Sequence, residues 1–396
     1  MYALDAVDGR LLWKTKAVDH PSIVTATPRV YDGVIYQPIS SYEEALAARP
    51  DYQCCTFRGS VVALDAGTGK TIWQSFTIAQ APTPTRKNAA GAQQYGPSGA
   101  AVWSSPTIDP QRGALYVATG DNYSDPPTST SDAVLAMDLK TGKLLWSQQL
   151  TAGDSYNNSC STPQRANCPS TAGPDADFGQ PPILVNARGA KPELVIAQKT
   201  GMAYALDPDR QGEVLWRTQA GEGGKFGGSQ WGSAADARNM YVAISGQKIR
   251  AVRDPQSPRG FRFVLDPRDG GGLVAIDLTT GKIVWSVKPP APPTCPAAGT
   301  DCSPAQSAAV TAIPGVVFSG SVDGHLRAYA AGSGDVIWDT NTAHPFDAVN
   351  GGAARGGSID AAGPAVVNGM VFANSGYGQW GGMPGNVLLT FSVNGE

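Results

Sequence analysis

The chain has 396 residues, a net charge of −3 and charged side chains at only 16% of positions, so it offers no basic surface for nucleic acid or an anionic membrane. No run of about 18 apolar residues occurs, which excludes a membrane-spanning helix. The 47 glycines and 31 prolines call for many short turns, and the length would suit two ordinary domains unless a repeat organises it.

A repeat does organise it. The phrase apolar-Asp-x-x-x-Gly-x-x-apolar-Trp, with small variations, runs from Leu4-Asp5 to Trp13 and returns at Leu64-Asp65 to Trp73. It comes again at Met137-Asp138 to Trp146, Leu206-Asp207 to Trp216 and Ile276-Asp277 to Trp285, with a decayed copy from Tyr329 to Trp338. Spacing of this order means an array of similar units. In chain order, Tyr2-Ala3-Leu4 reads as the third strand of a unit already under way. Ala26–Tyr31, the turn Asp32-Gly33 and Val34–Tyr36 read as a hairpin. Val61–Leu64, the turn Asp65–Lys70 and Thr71–Trp73 read as the next pair of strands. The same hairpin grammar recurs at Ser105–Ile108 with Gly113–Val117, and at Ala309–Thr311 with Gly315–Phe318. Asn386–Phe391 is again a third strand. Four antiparallel strands per unit, repeated about six times with a partial unit, predict an all-β propeller in a single domain over 1–396, with N-terminal blades missing. The six repeat tryptophans are expected to pack between units.

The six cysteines fall into three local pairs: Cys54 with Cys55, Cys160 with Cys168, and Cys295 with Cys302. An even count with close partners reads as disulfides made in an oxidising compartment, which places the protein in the periplasm or outside the cell. The last two pairs would staple strand-poor insertions. A metal centre built on soft ligands is not expected, because CxxC is absent and His20, His325 and His344 are scattered.

Several loop phrases carry a more specific signal: Ser40-Ser41-Tyr42-Glu43-Glu44, Cys54–Gly59, Val102–Asp109, Thr119–Ser124, Asp175–Gly179, Gln230–Asp236 and Gly376–Gly382. With these the chain resembles the quinoprotein alcohol dehydrogenases, eight-bladed propellers that bind pyrroloquinoline quinone and calcium, and most of all their polyvinyl alcohol dehydrogenase branch. The resemblance implies a role for each position. Trp103 is the indole floor under the quinone, whose planar face suits an aromatic platform. Cys54-Cys55, bonded as neighbours, form the lid on its other face. Glu44 is the calcium glutamate, with Glu43 as the register alternative, and Asp121 stands where the family has a ligand asparagine. A hard cation, calcium or a lanthanide, wants such oxygens. Asp175 and Asp177 jointly supply the general base and an extra metal-side carboxylate, in an order left open. Lys199, Gln230, Thr25, Trp231 and Trp380 are further quinone contacts. The implied reaction oxidises a secondary alcohol, possibly a polymeric one, and passes electrons to an external acceptor such as cytochrome c. The alternative is a propeller that only binds partners, or an inactive fragment.

Overall fold

The computed structural model describes residues 1–19, 21–170, 172–187, 191–256, 261–288, 295 and 301–393, so His20 lies outside the described residues. The chain is nearly all β, and its repeated element is a four-stranded antiparallel meander. Two compact units are distinguished: Met1–Leu184 with Asp207–Glu213, and Val185–Leu206 with Val214–Glu396.

In the first unit, Thr107–Asp109, Ala114–Ala118, Ala133–Asp138 and Leu144–Gln149 form one complete meander. A second contains Arg29–Tyr31, Val34–Ser41, Ser60–Asp65 and Thr71–Phe76, with Ser22–Ile23 added along the second strand. Middle strands are buried on both faces, so Val61, Val62, Ala63 and Leu64 are consecutive apolar residues. The last strand is an edge, and there Trp73 is half-buried while Ile72 is exposed. The strand expected at Val34–Tyr36 runs on to Ser41, because its continuation through Ile39 is buried as deeply as its start. It then turns into a single helical turn, Glu43–Leu46.

The second unit repeats the scheme. Thr311–Ile313, Val316–Gly320, His325–Ala330 and Val336–Asn341 form one meander. Ala234–Ala235, Asn239–Ile244, Gly272–Asp277 and Ile283–Val287 form another.

The repeat phrase has a local cause at each position. Its Asp caps the turn: Asp65 Oδ1 accepts the Thr68 amide at 2.8 Å and its hydroxyl at 2.6 Å, and Asp138 treats Thr141 alike. Its Gly answers two demands. Gly142 has φ +71, and a Cβ there would come within 2.5 Å of the Trp73 ring of the preceding copy. Gly69 stands on Trp13, Gly212 on Trp146, Gly281 on Trp216 and Gly334 on Trp285 in the same way. The tryptophans are therefore packing pegs between copies. Trp13 Nε1 also donates to Ala66 O at 2.9 Å, and Trp216 Nε1 to Leu278 O at 2.7 Å. All three expected disulfides are formed.

Candidate functional site: a buried carboxylate centre

The strand Ala114–Ala118 ends by delivering Thr119-Gly120-Asp121 to the interior of the first unit. Asp121 is buried, and its amide donates to Asp177 Oδ1 at 2.7 Å. Gly120 permits this approach, since a Cβ would stand 2.6 Å from that oxygen and 3.3 Å from Trp103 Nε1. Asp121, Asp175 and Asp177, all buried, each bring a carboxylate oxygen within 4.8 Å of the others. Among the described residues this is the one group of three acid, His or Cys side chains found so close. Among the described residues, Asp121 Oδ2 has no hydrogen-bond partner. Burial first, then the charges of Asp177, Asp175, Glu44 and Asp132, push the Asp121 carboxyl well above its ordinary range. Like charges buried this closely are costly without a counter-charge. A hard cation taking several carboxylate oxygens fits this donor set.

Adjacent glutamates part ways here. Glu43 is fully buried and already satisfied. It accepts from the amides of Thr56, at 2.8 and 2.9 Å, and Phe57, at 2.6 Å, and from the Tyr52 hydroxyl at 3.0 Å. It braces the loop that carries Cys54-Cys55. Glu44 is half-buried, and its charge acts on Asp121 and Tyr123.

Cys54 and Cys55 are completely buried, in an apolar cluster with Ile39, Phe57 and Tyr123 against which Trp103 packs. The Thr25 hydroxyl donates to Trp103 O at 3.3 Å. Glu44, Cys54, Cys55, Trp103, Asp121, Asp175, Asp177 and Thr25 thus all belong to the first unit. Two buried asparagines tie its insertions together. Asn88 donates to Pro50 O at 2.8 Å and Asn167 Oδ1 at 2.6 Å, and Asn167 donates to Ala47 O and Arg49 O.

The remaining expected residues belong to the second unit. Lys199 is buried just beyond the strand Glu193–Ala197, and its carbonyl accepts the Gly224 amide at 2.9 Å. Gln230 Nε2 reaches Lys225 O at 3.5 Å. Trp231 Nε1 donates to Asp360 Oδ1 at 3.0 Å. Trp380 is 40% exposed and tilts against Phe226. Asp132, Asp154 and Asp360 escaped the sequence reading. Asp360, which burial pushes upward, also accepts from Ser307 Oγ at 2.6 Å and the Ala361 amide at 2.7 Å.

Comparison with known proteins gives a consistent result. The family described as glucose/ethanol/alcohol dehydrogenase, β-propeller domain, matches residues 21–166, and that described as outer membrane protein assembly factor BamB matches residues 190–385. A polyvinylalcohol dehydrogenase from a Pseudomonas species is 43% identical over 404 residues, covering 100% of this chain and 60% of the relative. One from Sphingopyxis sp. strain 113P3 is 40% identical over 407 residues with the same coverage. The chain therefore spans 60% of the length of these relatives. Among solved structures, a quinohemoprotein alcohol dehydrogenase from Pseudomonas putida HK5 matches with a TM-score of 0.68 at 19% identity, over 100% of this chain and 64% of that one, which shows the propeller fold.

Proposed function

Because the chain belongs to the family of propeller quinoproteins that includes the polyvinyl alcohol dehydrogenases, we propose that it is the cofactor- and cation-binding part of a pyrroloquinoline quinone-dependent alcohol dehydrogenase. Its substrates are secondary alcohols, polymeric ones included. It works in the periplasm or outside the cell, and an external acceptor such as cytochrome c removes the electrons. The observation that carries this reading is the buried triad Asp121, Asp175 and Asp177, with ligand oxygens within 4.8 Å of one another.

In this reading Asp121, Asp177 and Glu44 hold the cation, calcium or a lanthanide. Asp177 suits that side, because its Oδ1 is fastened to the Asp121 amide at 2.7 Å. Asp175 is left as the base that takes the hydroxyl proton of the alcohol. Trp103, half-buried, offers the quinone an aromatic face and Thr25 a hydroxyl, while the Cys54–Cys55 pair, fully buried, stands behind Trp103 in the apolar cluster. For Lys199, Gln230, Trp231 and Trp380, in the second unit, the role of quinone contact rests on the resemblance alone. When bound, the quinone supplies the acceptor for the substrate's hydride, and the cation polarises the accepting carbonyl.

The test is to mix the purified chain with the quinone and calcium or a lanthanide, then follow quinone absorbance and dye reduction with primary, secondary and polymeric alcohols. Cation-dependent turnover that favours secondary alcohols is expected. No quinone uptake with either cation would leave a propeller that binds partners instead. The match of residues 190–385 to an assembly-factor family is the one finding that favours this second reading.

A further inference from the structure

Beside the triad stands a fourth buried acid that the roles above do not use. Asp154 is 1% exposed, and its Oδ2 accepts the Ala176 amide at 2.6 Å, with a further hydrogen bond from the backbone of Asp175. Two successive amides meeting one anion form a nest, a geometry that needs a left-handed residue. Asp175 is that residue, with φ 64°. For a side chain with a Cβ this backbone is strained, and such strain persists only where surrounding contacts fix it. Asp154 is also anchored on the other side of the triad. Ser155 bridges in parallel to both Asn122 and Ala172. The Tyr156 amide donates to Asn122 O at 2.8 Å and the Gly173 amide to Ser155 O at 3.0 Å. The segment 154–156 is thus a strap between the Asp121 loop and the Asp175–Asp177 loop. Gly173 lies so close that any Cβ would collide with Asp154 Oδ1.

We infer that Asp154 is a positioning residue for the base: its carboxylate holds the Asp175 and Ala176 amides, and so fixes the left-handed turn that sets the Asp175 carboxylate against Asp121 and Asp177. A neutral acceptor of the same shape preserves part of this grip, and a methyl group none of it. The role rests on the reading of Asp175 as the base.

The experiment compares Asp154→Ala and Asp154→Asn with the unaltered chain, by steady-state kinetics with the quinone and by terbium luminescence without it. Asp154→Ala should lower kcat by about 10–100-fold, the usual loss for a group that orients a reacting one, while KM and terbium affinity stay within about 3-fold. Asp154→Asn should recover most of the rate. Wild-type kcat in Asp154→Ala would overturn the inference. So would a joint loss of terbium binding and rate that Asn does not rescue, since that marks a structural role. If the unaltered chain shows neither terbium binding nor turnover, the reading of the centre fails first. A crystal structure of Asp154→Ala then decides the positioning role: departure of Asp175 from its left-handed φ supports it, and retention overturns it.

Discussion

Asp121 in the first unit and Asp323 in the second stand at matching places, each three residues beyond the second strand of a meander, Ala114–Ala118 or Val316–Gly320. Both are buried, and their surroundings are opposite. Asp323 Oδ2 meets the fully buried guanidinium of Arg327 at 3.2 Å, and Arg327 also reaches Asp339 at 3.1 Å and Ser321 Oγ at 2.9 Å. Arg327 lies opposite Ser319 in the sheet, and the residue matching it in the first unit, opposite Val117, is Leu135. One blade position therefore carries either a carboxylate neutralised from within or a carboxylate whose neighbours are more carboxylates. The difference is a single side chain on the third strand together with the incoming loop 173–178. A fold that repeats can keep its strands and decide, by such exchanges, which of its copies gathers acids and which neutralises them.

The sharpest break of this comparison falls on the loop. Asp175→Ala should lower kcat by about 10²–10⁴-fold, as expected for a lost general base. Asp177→Ala should instead weaken the cation, so that excess calcium restores part of the rate; titrating calcium against turnover separates the two. Next comes the self-neutralised copy. Arg327→Leu leaves the buried Asp323 without its cation and should cost about 3–5 kcal/mol in urea unfolding. If the loss were negligible, the contrast with Leu135 would carry no energetic meaning.

The strands and their turns were readable in the sequence because each position of the phrase does a local job. The decayed copy makes the point: Ala330 replaces its Asp, yet Gly334 remains and still stands on Trp285. The Leu206–Trp216 copy has one residue more, taken up by a 3-10 turn, Pro208–Arg210, with Gln211 left-handed. The acids of the centre were readable only through the resemblance of their loops. Nothing in their spacing says that Asp121 meets Asp177, which lies 56 residues further on. Choosing Glu44 over Glu43 depends on which way one helical turn faces, and one residue rotates a helix by about 100°. Asp154 and Asp360 have no signal at all in a single sequence, because short polar residues in loops are common and their partners arrive from distant segments.

Smaller effects probe the insertions and edges. Replacing Cys160 and Cys168 by serine should cost about 2–3 kcal/mol, the loop-closure value for so short a ring. Thermal unfolding with and without the pair measures it, and the second unit's Cys295–Cys302 offers the matching control. The least effect is expected at Glu193, whose carboxyl burial and the Asp277 charge push up to about 7 from an ordinary 4.5. The folded state thus favours the protonated form. That contribution is complete below about pH 4.5 and is lost as the pH rises through about 7. Glu193→Gln should therefore raise the melting temperature at pH 8 and leave it unchanged near pH 4.5.

The contact of five repeat tryptophans, Trp13, Trp73, Trp146, Trp216 and Trp285, with the glycine of the following copy has a direction along the chain. Trp73 is covered by Gly142, and Trp146 by Gly212, never by an earlier residue of the same kind. A chain that emerges from its N-terminus one residue at a time completes the strands of a copy before the cover for that copy's indole has been made. The growing end accordingly carries one open aromatic surface after another, each closed only when the next copy arrives. At about 5–20 residues per second of synthesis this interval lasts several seconds. Sequential folding of such an array leaves a travelling hydrophobic patch, which a holding chaperone can grip at every step of the chain's appearance.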